Sequence, residues 1–185
     1  MNVVFDQFDL IGHAATQLAW QLREQDCRIV FAESCTAGLV AASLARVPGI
    51  SNWMCGSAVT YQEQIKQDWL DVSAADLKKY SAVSSVVTRQ MATNVLEKTS
   101  PAMIAAAVTG HLGPDAPPEL DGVGFVAVAV REAGRVICEE VRQFHMTRSE
   151  RVARQFEATQ FVLEYVSEVI AERRKAKTGL PGGTA

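Results

Sequence analysis

The stretch from Phe31 to Val40 places a strand directly before a helix, and it constrains the fold more than any other part of the chain. The run from Arg28 to Ala32 predicts a buried strand, and the small and polar residues from Glu33 to Gly38 predict a sharp turn before a helix. In open α/β sheets, ligands bind at the carboxyl ends of strands, where such turns lie. Ser34 lies in this turn, so its hydroxyl is the leading candidate for the chemistry of the chain.

The rest of the chain alternates apolar runs with amphipathic segments. These patterns predict helices over 10–25, 36–46, 64–70, 74–79, 84–98 and 147–174, and strands over 28–32, 57–61, 102–109, 124–130 and 136–144. Helices between early strands indicate parallel pairing, and the turn from Glu132 to Arg135 predicts a late antiparallel hairpin. We therefore predict an α/β fold, a three-layer α/β/α sandwich with a mixed, mostly parallel sheet. It is expected to form one domain over residues 1–174, followed by a disordered tail over 175–185.

Composition and charge exclude several classes of protein. The chain has 185 residues, 48% of them hydrophobic, which suits one domain with a full core. Its net charge of −3 provides no basic excess for binding nucleic acid or an anionic membrane. The four cysteines are scattered and there are only three histidines, so we expect neither a disulfide framework nor a metal site. The N-terminus lacks the basic region of a secretory signal, and the apolar runs are too short to span a bilayer, so we expect a cytoplasmic location.

Three predicted strands end in polar or glycine-rich segments that could meet at one edge of the sheet. These segments contribute Ser34, Thr36, Tyr61, Lys66, Thr109 and Gly110. Serine is a weak nucleophile and needs a base. One candidate base is His111, with Asp115 as its orienting carboxylate, and the other is Lys66, whose pKa falls if the side chain is buried. Ser34 and Thr36 could instead serve only as caps of the following helix.

Several segments resemble, in the same order, the motifs of one known family. The sequence AESCTAG from Ala32 to Gly38 resembles the AESCTGG signature of the CinA C-terminal domain family, which includes the stand-alone nicotinamide mononucleotide amidohydrolases. The other similar segments are 59–66 (VTYSNEAK in the family), 82–84 (AVSEE), 109–115 (TGIAGPxGG), 122–124 (PVGTV) and the region around Arg148 (GDR). The resemblance covers roughly residues 10–170.

The resemblance implies an amidohydrolase that converts nicotinamide mononucleotide to nicotinate mononucleotide and ammonia in pyridine nucleotide salvage. It also implies a homodimer that acts on this small molecule without a metal or organic cofactor. The implied catalytic residues are Ser34 as nucleophile, Lys66 as general base and Tyr61 as an orienting or proton-relaying group. The implied substrate-binding residues are Glu33, Cys35, Thr36, Gly38, Thr109, Gly110, Gly113 and Arg148. Among these, the N–H groups of Cys35 and Thr36 would form the oxyanion hole.

The loops that face this turn depart from the family motifs. The departures include Glu63, Ser85, His111, Leu112, Asp121 and Met146. We call these facing loops the rim of the site. Glu63 stands where the family has an asparagine, and Asp121 lies in a segment where the family usually has a lysine. Both changes make the charge of the rim more negative, so the rim becomes less attractive to a phosphate. The alternative to an active amidohydrolase is therefore a catalytically weak or inactive paralogue that acts as a nucleotide-binding or regulatory module.

Overall fold

The computed structural model describes residues 3–178. The helices of this part of the chain are α1 (Val3–Glu24), α2 (Leu39–Ala45), α3 (Glu63–Leu70), α4 (Ala74–Tyr80), α5 (Ser85–Lys98) and α6 (Arg151–Thr178), with a short 3₁₀ turn at Ile50–Asn52. Its strands are β1 (Ile29–Glu33), β2 (Met54–Val59), β3 (Ile104–Gly110), β4 (Val123–Glu132) and β5 (Arg135–His145). Each predicted helix and strand is present; most ends differ by a few residues, and α1 begins seven residues before its predicted start at Leu10.

The strands form one mixed sheet in the order β2–β1–β3–β4–β5. β1 pairs in parallel with both β2 and β3, whereas β4 pairs antiparallel with β3 and β5. Ala133 and Gly134 form the tight turn between β4 and β5, with left-handed φ values of 46° and 79°. The parallel pairing brings the carboxyl ends of β1, β2 and β3 to the same edge of the sheet. The predicted fold class is confirmed.

Two separate cores cover the two faces of the sheet, because successive side chains of a strand point to opposite faces. Ile29 and Phe31 of β1 pack with side chains of α1, α2 and α6. Val30 and Ala32 of the same strand pack in the other core with side chains of α3, α4 and α5. Helices therefore cover both faces, which is the predicted three-layer arrangement.

Helix α2 begins at Leu39, three residues after the predicted start at Thr36. Ala37 and Gly38 adopt left-handed φ values of 52° and 97°, which a right-handed helix does not contain. The segment between β1 and α2 is therefore a true turn rather than the first turn of a helix. This difference matters for the site, because Ser34 lies in that turn.

Helix α6 begins at Arg151, after the predicted start at Thr147. The N–H and hydroxyl of Thr147 instead bind the carboxylate of Glu157 within the helix. α6 continues to Thr178, so the predicted disorder is wrong over 175–178, and 179–185 lie outside the described residues. Within residues 3–178, no helix combines the length and the apolar character needed to cross a bilayer.

Candidate active site

The turn after β1 holds Ser34 at the carboxyl edge of the sheet. The N–H of Ser34 donates to the carbonyl of Val108 on β3 at 3.2 Å, which continues the strand pairing past the end of β1. Gly38 then reverses the chain into α2 with a φ of 97°, a conformation that strains any residue with a side chain. The N-cap position of α2 belongs to Gly38, so Ser34 does not serve as a helix cap.

The Ser34 hydroxyl accepts a hydrogen bond from Lys66, whose Nζ lies 3.0 Å from Oγ. Lys66 lies on α3 and is fully buried. Its Nζ also donates to the carbonyls of Thr60 at 2.6 Å and Tyr61 at 3.2 Å, both in the loop between β2 and α3. Three oxygen acceptors therefore fix the position of the lysine nitrogen, and one of them is the candidate nucleophile.

Burial lowers the pKa of Lys66 from 10.5 to about 8, because a site shielded from water disfavours the ammonium form. Charge interactions with Cys35 and, after it, with the carboxylate of Glu63 oppose this effect to a smaller extent. A neutral amine can donate its two hydrogens to the carbonyls of Thr60 and Tyr61 while its lone pair faces the Ser34 hydroxyl. The environment of Lys66 therefore suits a general base that works near neutral pH.

The N–H groups of Cys35 and Thr36, the predicted oxyanion donors, directly follow Ser34 in the turn. Within residues 3–178, the N–H groups of Cys35 and Thr36 donate to no oxygen acceptor. Both interact with the sulfur of Cys35 and favour its thiolate, but burial outweighs them and raises the pKa of this thiol to about 12. Cys35 therefore remains a neutral thiol rather than a nucleophile.

Ser34 and Cys35 line a cleft with a volume of about 500 Å³. The other lining segments are Tyr61, 82–83, 110–116 and Arg151. Gly110 allows the cleft wall to approach the turn that carries Ser34 and Cys35, since a Cβ at this position would lie 3.2 Å from the Cys35 sulfur. Of the residues predicted to bind substrate, Cys35, Gly110 and Gly113 lie in this lining.

Arg151 is the main cleft residue that the sequence interpretation missed. From the first residue of α6, its guanidinium donates to the Tyr61 hydroxyl at 2.8 Å and to the carbonyl of Gly113. It thus joins two walls of the cleft and adds a positive charge there. Arg148, the arginine that the resemblance selected, is exposed and lies outside the lining.

A signal for Arg151 was present in the sequence. At 146–148, the segment that resembles the family triplet GDR, no acidic residue precedes the arginine. The triplet 149–151 reads Ser-Glu-Arg and keeps an acidic residue directly before the arginine. Matching on that feature would have selected the arginine that the structure brings to the cleft.

Besides Arg148, four residues predicted to bind substrate lie outside the cleft lining, namely Glu33, Thr36, Gly38 and Thr109. Thr109 is fully buried, and its hydroxyl pairs with that of Thr88 at 2.8 Å. Thr36 is also fully buried and donates to the Glu33 carboxylate at 2.8 Å. Glu33 is 1% exposed, and its carboxylate accepts hydrogen bonds from the first N–H groups of α2. The side chains of Glu33, Thr36 and Thr109 therefore bond within the protein and do not line the cleft.

Tyr61 contributes through its backbone rather than its ring. Its carbonyl accepts from Lys66, while its half-exposed side chain bonds to Arg151 through the hydroxyl. The hydroxyl has no hydrogen bond to Ser34 or Lys66. The structure thus supports an orienting contribution from Tyr61 and gives its phenol no route for relaying the proton.

His111 lines the cleft but is not the base of Ser34, which pairs with Lys66 instead. Burial lowers the pKa of His111, which favours its neutral form. Its Nε2 is buried and has no hydrogen-bond partner among the described residues. Between the two bases that the sequence left open, the geometry selects the lysine.

The altered rim residues affect the site less than their charges and sizes suggested. Asp121 forms a bidentate pair with Arg154 at 2.6 Å, and this pairing holds the pKa of the Asp121 carboxyl below its usual range. Its negative charge is therefore compensated, and Asp121 and Glu63 both lie outside the cleft lining. Leu112 and Met146 are 4% and 1% exposed, so these substitutions change packing rather than the polarity of the cleft.

The sequence profile of the CinA C-terminal domain matches residues 12–170. The chain belongs to the CinA C-terminal domain family. A CinA-like protein from Prochlorococcus marinus (strain MIT 9312) is 36% identical over 155 residues, which cover 84% of this chain and 36% of that protein. A putative competence-damage inducible protein from Desulforudis audaxviator is 38% identical over 110 residues, covering 60% of this chain and 26% of its own length.

Solved structures of the CinA superfamily share the fold. A protein from Klebsiella pneumoniae has a TM-score of 0.78 and 27% identity, with 88% of this chain and 98% of that one covered. The competence/damage inducible protein CihA from Agrobacterium tumefaciens has a TM-score of 0.76 and 28% identity, with coverage of 88% and 96%. The chain thus spans nearly all of these structures but only about a third of the CinA-like protein from Prochlorococcus.

Among residues 3–178, no three histidine, cysteine or acidic side chains are grouped so as to hold a metal.

Proposed function

We propose that this CinA-family domain is an amidohydrolase that deamidates nicotinamide mononucleotide to nicotinate mononucleotide and ammonia. One observation carries the proposal, the 3.0 Å hydrogen bond between the buried amine of Lys66 and the hydroxyl of Ser34. A serine paired with a lysine of lowered pKa is an established arrangement for acyl transfer. The choice of nicotinamide mononucleotide as substrate rests on the similarity to the amidohydrolases of this family.

In the first half of the reaction, neutral Lys66 takes the proton of Ser34 as Oγ attacks the carboxamide carbon. The negative charge on the carbonyl oxygen is stabilised by the N–H groups of Cys35 and Thr36. The C–N bond then breaks, and the Lys66 ammonium gives its proton to the departing nitrogen. The products of this half are ammonia and an ester between nicotinate mononucleotide and Ser34.

In the second half, a water molecule attacks the carbonyl carbon of that ester and gives a proton to Lys66. The C–O bond to Ser34 breaks, and Lys66 returns the proton to the serine oxygen. The released acid is nicotinate mononucleotide, and the enzyme regains its starting state. Lys66 thus serves as base and acid alternately, a role that suits a pKa of about 8.

Arg151 is the group that we assign to the phosphate of the substrate. It lines the cleft, and its guanidinium is a cation of the type that binds phosphate oxygens in pairs. Its present partners, the Tyr61 hydroxyl and the Gly113 carbonyl, are neutral, so its charge is not cancelled by them. This positive charge offsets the loss of the rim lysine.

The proposal is tested by measuring ammonia release from nicotinamide mononucleotide for the wild type and two variants. Ser34→Ala and Lys66→Met should each lower kcat by at least about a thousandfold, as loss of a nucleophile or its base does in related hydrolases. Ser85→Ala and Lys78→Met are matched controls at exposed positions outside the cleft lining, and both should keep wild-type rates.

Two results would count against the proposal. Equal rates for the wild type and Ser34→Ala would remove Ser34 from the chemistry. A wild type that releases no ammonia, but whose melting temperature rises with nicotinamide mononucleotide, would identify a nucleotide-binding module rather than an enzyme.

A further inference from the structure

We infer that Glu33 is a positioning residue that holds the turn bearing the nucleophile in register with the strand that leads to the base. The inference rests on the proposed roles of Ser34 and Lys66. Glu33 is the last residue of β1, directly before Ser34, and it is 1% exposed. It touches neither the cleft nor Lys66, so any effect on the reaction acts through position.

One carboxylate oxygen of Glu33 organises the nucleophile turn. Oε2 accepts hydrogen bonds from the Thr36 hydroxyl at 2.8 Å, the Gly38 N–H at 2.9 Å and the Val40 N–H at 3.0 Å. These donors span the turn and the start of α2. The turn that presents Ser34 and the N–H groups of Cys35 and Thr36 therefore closes around this single oxygen.

The other carboxylate oxygen links the turn to the neighbouring strand. Oε1 accepts from the Ala41 N–H at 3.0 Å and from the Ser57 hydroxyl of β2 at 2.9 Å. The backbone carbonyl of Glu33 also accepts from the Thr60 N–H at 2.8 Å, just beyond the end of β2. Thr60 is one of the two residues whose carbonyls hold the Lys66 amine. Glu33 thus bonds both to the turn that carries Ser34 and to the segment that holds the Lys66 amine.

The donors around Glu33 explain why an acid is needed in a buried place. Removing a carboxylate from water is unfavourable unless its oxygens are fully hydrogen-bonded. All five donors are neutral N–H or O–H groups, and no Lys or Arg side chain forms an ion pair with Glu33 among the described residues. A group that only filled this space could be apolar. The five convergent donors instead require two acceptor oxygens at fixed positions.

The test uses Glu33→Gln in the full chain, because this change keeps the shape and replaces one acceptor oxygen by a donor NH₂ group. In either orientation the amide nitrogen faces at least one backbone N–H, so the turn must shift. A displacement of about 1 Å is enough to cost on the order of a hundredfold in rate. We expect kcat to fall by about a hundredfold, with the KM for nicotinamide mononucleotide within about threefold of wild type.

The readouts separate positioning from a loss of stability. Ser73→Ala is the matched control, because it removes an N-cap hydrogen bond, from the Asp76 N–H at 3.2 Å, outside the cleft lining. It should lower the melting temperature and leave kcat unchanged. The pH dependence of kcat in Glu33→Gln should keep the wild-type midpoint, because a displaced nucleophile lowers the rate at every pH.

A second variant covers the case in which Glu33→Gln does not fold. Ser57→Ala removes only the link between the Glu33 carboxylate and β2, and it should lower kcat about tenfold with a melting temperature no lower than that of Ser73→Ala. The inference is wrong if either folded variant keeps kcat within about twofold of wild type.

An activated ester, p-nitrophenyl acetate, separates this inference from the proposed function. Ester hydrolysis that depends on Ser34 is the wild-type rate minus that of Ser34→Ala, and it does not require the natural substrate. A loss of this rate in Glu33→Gln supports positioning even if nicotinamide mononucleotide is not hydrolysed. If the rate is retained, positioning is refuted whatever the substrate. Without a Ser34-dependent rate toward either compound, both the inference and the proposed function fall.

Discussion

The Nζ of Lys66 and the Oγ of Ser34 lie 3.0 Å apart, although 32 positions separate the two residues in the chain. The fold brings them together because β1 and β2 are parallel neighbours, with Glu33 in register with Val59 at their carboxyl ends. Ser34 follows the first strand, and Lys66 reaches back from the helix that follows the second. The order of the strands in the sheet therefore brings the pair together. Its proposed function depends on the protonation state of the buried Lys66 amine.

The pH dependence of the reaction should report the pKa of Lys66. Because this pKa is lowered to about 8 by burial, the neutral base is a minor species at pH 6 and dominant at pH 9. We expect log(kcat/KM) to rise by about one per pH unit below this value and to level off above it. Steady-state ammonia release between about pH 6 and pH 9.5 measures this curve. A flat profile, or a rate that falls as the pH rises toward 8, would contradict a lysine base.

The same buried lysine should make the stability of the domain depend on pH. The folded pKa of about 8 lies below the ordinary value of 10.5, so the unfolded chain binds more protons between these values. Burying the Lys66 ammonium lowers the free energy of unfolding by its full amount below pH 8, and this destabilisation disappears as the pH rises toward 10.5. Relative to Lys66→Met, the wild type should gain about 2 kcal/mol in free energy of unfolding between about pH 7.5 and pH 9.5.

Urea unfolding of both proteins at these two pH values gives this difference. Lys78→Met removes an exposed lysine of α4 and controls for the loss of one positive charge. A wild type that loses stability relative to Lys66→Met over this range would show that Lys66 is not buried with a lowered pKa.

The sequence predicted the layers of the fold and the pairing of Ser34 with Lys66 more reliably than the rest of the cleft. Apolar runs at the strands and the AESCTAG turn are local features, and both persist in the structure. The bond partner of Ser34 followed from the family motif, because the residues alone left both His111 and Lys66 open. The side-chain directions of Thr109 and Glu33 depend on contacts with Thr88 and with α2, which no local pattern encodes.

The sequence interpretation missed the contribution of Arg151 to the cleft for a different reason. Its guanidinium reaches the cleft only because α6 begins at this residue and because the Tyr61 hydroxyl and the Gly113 carbonyl lie within its reach. The predicted helix start at Thr147 would have placed Arg148 in the first turn instead. Arg148, which the resemblance to the family triplet selected, instead precedes this helix and lies outside the cleft lining.

These two arginines form a matched pair for testing phosphate binding. Arg151→Met removes the cleft cation and should raise the KM for nicotinamide mononucleotide by about tenfold to a hundredfold, the usual range for a lost charged hydrogen bond. Arg148→Met removes the same charge outside the lining and should leave KM within about twofold. Nicotinamide riboside, which lacks the phosphate, should be hydrolysed equally by the wild type and Arg151→Met. Equal KM values for the two methionine variants would exclude Arg151 as the phosphate partner.

The close approach at Gly110 allows a test of the cleft wall that needs no assumption about the substrate's position. A Cβ at Gly110 would lie 3.2 Å from the Cys35 sulfur, while its next contacts, Gly124 Cα and Met146 Cε, would lie at 3.5 Å. Gly110→Ala should therefore push on Cys35, whose N–H is a proposed oxyanion donor, with an overpacking cost of about 1–3 kcal/mol and a lower kcat.

Removing the sulfur should relieve this effect, because contacts at 3.5 Å are ordinary. We expect the double variant Gly110→Ala/Cys35→Ala to recover most of the kcat lost in Gly110→Ala, with Cys35→Ala alone as the reference. Urea unfolding and ammonia release of all four proteins form a double-mutant cycle with a coupling energy of about 1 kcal/mol or more. If the two substitutions act additively, Gly110→Ala acts through some contact other than the Cys35 sulfur.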